Sequence, residues 1–286
     1  MAKLLEGKPI AEKIKEDIKQ KVQTLRAKPV LASIQVGDNP GAEAYVKSQR
    51  KTAESLGIEY QFHKLSQDTT ESDLIQFIQK INSDRSVNGI IVQMPLPSQI
   101  DYKKISQFII PEKDIEGMHP ANIGRIVFGK ANILPCTPAA AMELLKETGV
   151  DLYGKEVVMV GHSEIVGKPL ALLLLEKFAT VTVCHIGTSK AGKLEEHVRK
   201  AEILIVAVGK AGLIKGEWIK EGAIVIDVGI NRVGDKIVGD VEFEEAEKRA
   251  SYITPVPGGV GPLTVTMLMR NLVEATKLQG GRENEI

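Results

Sequence analysis

Residues 157–169 read VVMVGHSEIVGKP, a β-branched run followed by a glycine-bounded turn. The run is typical of a strand buried on both faces of a parallel sheet. Gly161 permits a tight turn, and Gly167 lets a following helix pack on the strand with its N-terminal N–H groups free for a phosphate. Ser163 stands where the usual fingerprint has its second glycine, so the strand–turn–helix context carries the prediction of a dinucleotide site. The predicted contacts here are Gly161, His162, Ser163, Ile165 and Val166.

Three more apolar runs follow, at residues 180–184, 203–207 and 224–228. A helical segment at 168–178 lies between the strand that begins at 157 and the strand at 180–184, and another at 194–200 lies between 180–184 and 203–207. This alternation predicts an α/β domain with a Rossmann-like, doubly wound parallel sheet. Loops after the strands supply the remaining predicted cofactor contacts. They are Thr188, Ser189, Val208, Gly209 and Ile230.

The cofactor preference depends on the segment that follows the second of these strands. An NAD-selective site usually has Asp or Glu there for the ribose 2′-hydroxyl, and residues 184–190 contain neither. Thr188, Ser189, Lys190 and His162 could instead bind a 2′-phosphate, or they could be ordinary solvated loop residues. We therefore expect NADP as cofactor, with NAD possible.

The first half of the chain also alternates between the two patterns. Strands are predicted at 30–36, 58–65 and 88–93, and helices at 8–26, 42–56 and 71–83, which favours a parallel sheet with helices on its faces. Residues 134–138 break the pattern before a helix at 139–148, so we place the domain boundary near Pro138. A final helix is predicted at 264–277, followed by a frayed tail at 279–286.

Composition narrows the class of protein. Lys plus Arg and Asp plus Glu both number 37 in 286 residues, so no electrostatic reason favours nucleic acid or an anionic membrane as partner. The longest aliphatic run, at 170–175, is too short for a bilayer, and the first residues carry no secretory h-region. We expect a cytoplasmic protein. The two cysteines and the histidines show no metal-ligand spacing, and we predict no metal.

Residues 255–264 read PVPGGVGPLT. Three glycines and three prolines in ten residues predict neither a helix nor a central strand, because proline lacks an N–H group and glycine loses the most backbone entropy. The segment is either a rigid turn or a loop whose backbone a flat ligand can approach closely.

Six segments in the same order resemble the methylenetetrahydrofolate dehydrogenase/cyclohydrolase family over nearly the whole chain. They are VQMPLP at 92–97, KDIEGMHP at 113–120, PCTP at 135–138, GHSEIVGKP at 161–169, DVGIN at 227–231 and PGGVGPLT at 257–264. The resemblance implies a folate-binding domain at 1–138 with a returning C-terminal helix at 264–286, a Rossmann domain at 139–263, a cleft between them, and a homodimer. It implies oxidation of 5,10-methylenetetrahydrofolate by hydride transfer to the nicotinamide.

The resemblance also assigns residues to the folate site. Tyr45 matches the family's pterin-stacking tyrosine, Gln93 its pocket glutamine, and Pro257, Gly258 and Gly259 its substrate loop. Gln49 departs from the family, which has a lysine four residues after the tyrosine that serves the cyclohydrolase step. Glu116 departs too, since the family usually has Asp there to hold the pterin.

Glutamine carries no charge and exchanges no proton near neutral pH, and Lys47 and Lys51 lie roughly 200° away around the helix. The expected function is therefore a dehydrogenase with weak or absent cyclohydrolase activity, with Tyr45, Gln49, Gln93 and Glu116 at the reacting site. The alternatives are the full bifunctional enzyme, with water activated by a group such as Glu116, a folate- or nucleotide-binding protein without catalysis, and an unrelated Rossmann dehydrogenase.

Overall fold

The computed structural model describes residues 1–282, and the chain divides into two compact units. The six-stranded unit comprises Met1–Glu12 and Thr137–Thr264. The three-stranded unit comprises Lys13–Cys136 and the chain from Val265 onward. Within the described residues, every helix is too short or too polar to span a bilayer.

In chain order the strands are β1 (Lys3–Leu4), β2 (Val30–Val36), β3 (Glu59–Leu65), β4 (Gly89–Val92), β5 (Glu156–Val160), β6 (Thr180–Cys184), β7 (Ile203–Val206), β8 (Ile224–Asp227), β9 (Asn231–Val233), β10 (Lys236–Val238) and β11 (Tyr252–Ile253). The α-helices are α1 (Gly7–Thr24), α2 (Pro40–Ser55), α3 (Glu71–Ser83), α4 (Tyr102–Ile105), α5 (Pro120–Val127), α6 (Cys136–Glu147), α7 (Gly167–Leu175), α8 (Ile186–Lys190), α9 (Leu194–Lys200), α10 (Phe243–Arg249) and α11 (Gly261–Arg282).

The three-stranded unit is a parallel sheet in the order β3-β2-β4 with helices on both faces. Every residue of the central strand β2 is buried, as its largely apolar sequence predicts. On one face Leu31 joins a core with Ile18 of α1, Ala53 of α2 and Leu268 of α11. On the other face Ile34 packs with residues of α3. The predicted return of the C-terminal helix to the first domain is therefore confirmed.

The six-stranded unit is a parallel sheet in the order β1-β11-β8-β7-β5-β6. From β5 onward the chain first adds β6 on one side and then β7, β8 and β11 on the other, which is a doubly wound order and confirms the predicted fold class. Because the winding reverses at β5, the carboxyl ends of β5 and β7 form the topological switch point where such sheets bind ligands.

The expected boundaries differ from the structure in two places. Residues 1–12 belong to the six-stranded unit because β1 pairs with β11, whereas we expected them in the first domain. Pro138 lies inside the first turn of α6 and does not precede it, since proline is tolerated where the N–H group has no helical partner.

The last helix also differs from its prediction. α11 begins at Gly261, inside the proline- and glycine-rich segment, and continues to Arg282. Residues 279–282, which we expected to fray, are thus helical, and residues 283–286 of the expected tail lie outside the described residues.

Candidate active site

Tyr45 and Gln49 are carried by α2, whose start is fixed by its N-cap. The Asn39 side chain accepts a hydrogen bond from the Ala42 backbone N–H at 3.0 Å, and Pro40 occupies the first turn. Tyr45 is 56% exposed, so its ring is free to contact a flat ligand. Gln49, one turn later, is only 5% exposed and points into the protein.

Gln49 and Gln93 are brought together by a buried hydrogen-bond network. Gln93, which follows β4 directly, donates from Nε2 to Gln49 Oε1 at 2.7 Å and to Ser33 Oγ at 3.0 Å. Tyr60 donates its hydroxyl to the same Gln49 Oε1 at 3.0 Å. Both N–H groups of the Gln93 amide are thereby occupied, which leaves its carbonyl oxygen as the polar atom offered to a ligand.

The network of Ser33, Gln49, Tyr60 and Gln93 is electrically neutral. Burial raises the pKa of the Tyr60 phenol above its ordinary value, so the hydroxyl stays protonated near neutral pH. Lys47 and Lys51 are exposed on the other side of α2. The network can orient a ligand, but it has no member that exchanges a proton near neutral pH.

Glu116 shares no hydrogen bond with this network; it lies in the loop between α4 and α5 and is partly buried. Tyr102 donates its hydroxyl to Glu116 Oε2 at 3.2 Å. Burial, together with the nearby charge of Asp114, raises the pKa of Glu116 to about 8. Near neutral pH this carboxyl group is therefore largely protonated, and it can donate a hydrogen bond as well as accept one.

Asp114 and Asn271 hold the loop that carries Glu116. Asp114 Oδ2 accepts from the His119 backbone N–H at 2.7 Å and from Asn122 Nδ2 at 2.8 Å. Asn271 of α11 donates from Nδ2 to the carbonyl oxygens of Ile115 at 2.8 Å and Leu134 at 2.7 Å. The C-terminal helix thus fixes the backbone on the N-terminal side of Glu116.

Sequence reasoning missed Ser33, Tyr60 and Tyr102. Ser33 interrupts the otherwise largely apolar strand β2, and such a polar residue in a buried strand is a usable signal of a polar contact. Tyr60 and Tyr102 carry no comparable signal. Their partners lie 11 and 14 residues away in the sequence, in other elements.

In the six-stranded unit, two glycines shape the turn after β5. Gly161 has φ +122°, and a Cβ there would lie 2.3 Å from the carbonyl oxygen of Ala207, at the end of the neighbouring strand β7. A Cβ at Gly167 would lie 2.2 Å from the carbonyl oxygen of Gly161, so α7 packs tightly on the turn. The backbone at the switch point thus has the close approach and the helix N-terminus that a dinucleotide pyrophosphate requires.

The other predicted cofactor residues belong to this turn or to the segments that follow β6, β7 and β8. The rings of His162 and His185 are in contact, with centroids 5.0 Å apart and planes tilted by 37°, and α8 carries Thr188 and Ser189 directly after β6. Ile165, Val208 and Ile230 expose apolar side chains. Ser163 has a structural partner, because its Oγ accepts from the Val166 backbone N–H at 3.2 Å.

The predicted substrate loop packs on the first turn of α1. The Gly7 backbone N–H donates to the carbonyl oxygen of Gly258 at 2.8 Å, and Gly258 has φ +119°. A Cβ on Gly7 would lie 1.9 Å from the carbonyl oxygen of Gly259, so this contact requires glycine. Pro257 is exposed beside them. Within residues 1–282, no three His, Cys, Asp or Glu side chains are grouped so that they could hold a metal ion.

Comparison with known proteins gives two family matches. Residues 5–116 match the "Tetrahydrofolate dehydrogenase/cyclohydrolase, catalytic domain", and residues 135–280 match the "Tetrahydrofolate dehydrogenase/cyclohydrolase, NAD(P)-binding domain". The chain is 53% identical over 281 residues to the "Bifunctional protein FolD" of Geotalea daltonii, and this alignment covers 97% of the chain and 99% of that protein.

Solved structures agree with these matches. The crystal structure of the bifunctional enzyme FolD from Campylobacter jejuni is similar with a TM-score of 0.93 at 47% identity, covering 97% of this chain and 99% of that one. FolD from Trypanosoma brucei, in complex with NADP cofactor and inhibitor, gives a TM-score of 0.91 at 38% identity and covers 97% and 98%. This chain therefore belongs to the tetrahydrofolate dehydrogenase/cyclohydrolase family.

Proposed function

We propose that this chain is an NADP-dependent 5,10-methylenetetrahydrofolate dehydrogenase whose methenyltetrahydrofolate cyclohydrolase activity is weak or absent. The family membership supports the dehydrogenase. The observation that carries the second part is the neutral network around Gln49, at the position where the family has a lysine.

The protein's contribution to hydride transfer is to hold two rings in place and keep water away. Tyr45 offers an exposed ring for stacking on the pterin, and the Gln93 carbonyl oxygen accepts a hydrogen bond from it. Glu116, protonated or ionised, binds the polar edge of the pterin. NADP, held by the glycine turn at 161–167, supplies the hydride acceptor.

Hydrolysis of the methenyl cation has different requirements. Water must add to the bridging carbon and lose a proton, and a positioned acid or base accelerates such a step by about 10²- to 10⁴-fold. Gln49 cannot supply this help, because its amide does not titrate and its oxygen already accepts from two donors. The raised pKa of Tyr60 removes the phenol as a base near neutral pH.

One observation favours the bifunctional enzyme as the second candidate. The pKa of Glu116, raised to about 8, lies close to neutral pH, so this carboxyl group can exchange a proton there, as an acid in its protonated majority and as a base in its ionised minority. Relatives whose sequences are 53% and 51% identical to this chain carry the name "Bifunctional protein FolD". In this alternative Glu116 would replace the lysine as the group that activates water.

The NADP preference rests on the segment after β6. This segment contains no acidic residue and carries the polar side chains of His185, Thr188, Ser189 and Lys190. The ring of His162 contacts that of His185. Side chains of this kind donate to a 2′-phosphate, whereas an acidic residue would repel it. The specificity constants measured with NADP and NAD test this preference. The expected homodimer is part of the proposal and is tested by sedimentation of the full chain.

The deciding experiment follows reduced cofactor and the methenyl species at two wavelengths after addition of 5,10-methylenetetrahydrofolate. Reduced NADP with accumulating methenyl species supports the proposal. Reduced NADP with faster loss of the methenyl species than in enzyme-free buffer supports the bifunctional alternative. Binding of NADP without turnover would support a protein that binds without catalysis, and would overturn both.

A further inference from the structure

Asp240 is a fully buried carboxylate that binds two loops at once. It is 0% exposed, and it follows the hairpin of β9 and β10. Oδ2 accepts from the backbone N–H groups of Val208 at 2.7 Å and Gly209 at 3.0 Å, and Oδ1 accepts from the Lys210 backbone N–H at 2.8 Å. Oδ1 also accepts from Asn231 Nδ2 at 2.8 Å.

The first of these loops lies at the topological switch point. Residues 208–210 follow β7, whose last residues neighbour the glycine turn after β5. Three successive N–H groups point at Asp240, so what this loop offers a ligand is the side chain of Val208, which is 37% exposed, and the exposed backbone of Gly209. The second loop follows β8 and exposes Ile230 just before Asn231.

A second carboxylate holds Asp240 itself in place. Asp227, at the end of β8, accepts from the backbone N–H groups of Asp240 at 3.1 Å and Val241 at 2.9 Å, and from that of Gly229 at 2.9 Å. A Cβ on Gly229 would lie 2.1 Å from Asp240 Cγ, so the carboxylate fits into space that only glycine leaves open. The hydrogen-bond donors to Asp240 are uncharged N–H groups, so its carboxylate is held by hydrogen bonds and not by an ion pair.

We propose that Asp240 is a positioning residue for the dinucleotide, because its one carboxylate fixes the loops after β7 and β8 that carry Val208, Gly209 and Ile230. This inference deepens the proposed function, on which it rests. Asp240 does not touch the cofactor in this account. Its carboxylate accepts hydrogen bonds from the backbone N–H groups of residues 208–210 and from the Asn231 amide. Both loops are therefore held in their binding conformation before the cofactor arrives.

The test uses Asp240→Asn, which keeps the shape but turns an NH₂ group toward N–H groups that need an acceptor. Calorimetric titration with NADP at pH 8, above the pKa of about 6 to which burial raises Asp227, compares it with the wild type. We expect the Kd for NADP to rise by about 10-fold or more, as for loss of hydrogen bonds to a charged group. The KM for the folate should change by less than about 2-fold, since the carboxylate of Asp240 bonds residues 208–210 and Asn231 and not the substrate loop at 257–259.

Two variants separate positioning from general destabilisation. Asp227→Asn can keep an acceptor oxygen for the N–H groups of Gly229 and Asp240 and loses only the bond from Val241. It perturbs the same buried region while Asp240 keeps its bonds with residues 208–210, so at a similar drop in the melting temperature its Kd for NADP should rise far less. Glu242→Gln, nearby in the chain and exposed, should bind NADP like the wild type. If Asp240→Asn does not fold, Asn231→Ala, which removes the bond from the second loop to Asp240 together with a long bond to the Val238 carbonyl oxygen, should weaken NADP binding by about 3-fold or more.

An unchanged Kd in Asp240→Asn, or equal losses in Asp240→Asn and Asp227→Asn, would overturn the positioning role. Should Asp240→Asn fail to fold, an unchanged Kd in Asn231→Ala would overturn it as well. Failure of the wild type to bind NADP would overturn the proposed cofactor and the positioning role together. Failure of the dehydrogenase assay with intact NADP binding would overturn the proposed reaction alone.

Discussion

The side chain of Gln49 places a neutral amide at the centre of a buried hydrogen-bond network. The amide oxygen accepts from Tyr60 and from Gln93, and the four side chains of the network satisfy one another in a buried environment. Buried polar networks of this kind are rigid when they are fully bonded. In the proposed function this network orients a ring, and position 49 contributes no group that ionises near neutral pH.

Gln49→Lys should introduce hydrolysis of the methenyl species. The ammonium group would stand next to the Tyr60 hydroxyl and the Gln93 amide, both of which can turn to present an acceptor. We expect hydrolysis to increase by about 10²-fold or more if the lysine supplies general acid–base help. The measurement is the decay of the methenyl absorbance with purified variant and wild type.

Ser48→Lys is the matched control for that substitution, because it adds the same charge to the adjacent, exposed position of α2. Its rate of hydrolysis should equal that of the wild type. A wild-type rate already as high as that of Gln49→Lys would show that another group activates water.

The raised pKa of Glu116 predicts that its contribution to the free energy of unfolding decreases as the pH rises. Its pKa is raised from 4.5 to about 8 in the folded protein, so the unfolded chain releases this proton more readily. The stability that Glu116 contributes is fully present below about pH 4.5 and is lost as the pH rises through about 8. Glu116→Gln does not titrate, and it should gain stability relative to the wild type across that window.

Urea unfolding of both proteins between pH 5 and about pH 9 measures this difference. The curves of unfolding free energy against pH should diverge with rising pH and become parallel above about 8. Curves that stay parallel throughout would mean that Glu116 ionises normally in the folded protein.

At the scale of elements, the contact of α1 with the substrate loop depends on a missing side chain. Alanine is a better helix former than glycine, so propensity alone would favour it at Gly7. A Cβ on residue 7 would lie 1.9 Å from the Gly259 carbonyl oxygen, and this steric clash outweighs the gain in helix propensity. Gly7→Ala should destabilise the protein by about 1–3 kcal/mol, as overpacking does, and should raise the KM for the folate by shifting Gly258.

Gly124→Ala makes the opposite prediction in α5. A Cβ there meets no atom within 4 Å, so the substitution should stabilise the protein by about 0.5–1 kcal/mol through helix propensity. Thermal unfolding of the two variants side by side measures both effects. Similar shifts of the two midpoints would show that the loop relaxes around the new methyl group.

Elements with a strong periodic pattern were predictable from the sequence. β2, β6, α3 and α9 have the predicted limits, because their burial pattern and caps are local properties. The short helices α4 and α5 and the hairpin of β9 and β10 were not predicted, since each is too short to show a clear hydrophobic period. The helix start at Gly261 was missed because glycine and proline usually end helices, although proline is acceptable in the first turn.

The candidate site was predictable to the extent that a motif carries it. Tyr45, Gln49, Gln93, Glu116 and the glycine turn came from sequence motifs, whereas Tyr60, Tyr102 and Asp240 are defined by partners in other elements. Pairing across strands and loops sets those contacts, and a single sequence carries no local signal for them.

At the scale of the whole molecule, each unit is assembled from two separate pieces of chain. Leu5 illustrates this for the six-stranded unit. Its backbone N–H donates to the carbonyl oxygen of Ile253 at 2.8 Å, and its side chain is 2% exposed, whereas the adjacent Leu4 is 41% exposed. The first residues of the chain are therefore part of the buried core of the six-stranded unit, whose other piece is Thr137–Thr264.

Leu5→Ala should cost about 2–4 kcal/mol of unfolding free energy, since it leaves a cavity in that core. Leu4→Ala, with the same loss of atoms at an exposed position, should cost less than about 1 kcal/mol. Urea denaturation compares the two variants. Equal losses would mean that the N-terminal segment is not packed against β11 in solution.

The pairing of β1 with β11 has a consequence for biosynthesis. β1 leaves the ribosome first, and its partner follows roughly 250 residues later, which at about 5–20 residues per second means some tens of seconds. Helix α11, which covers the apolar face around Leu31, is translated after every strand of both sheets. A nascent chain of this protein therefore carries an unpaired strand and an uncovered sheet face until β11 and α11 have left the ribosome, and during that interval the exposed apolar surface favours aggregation.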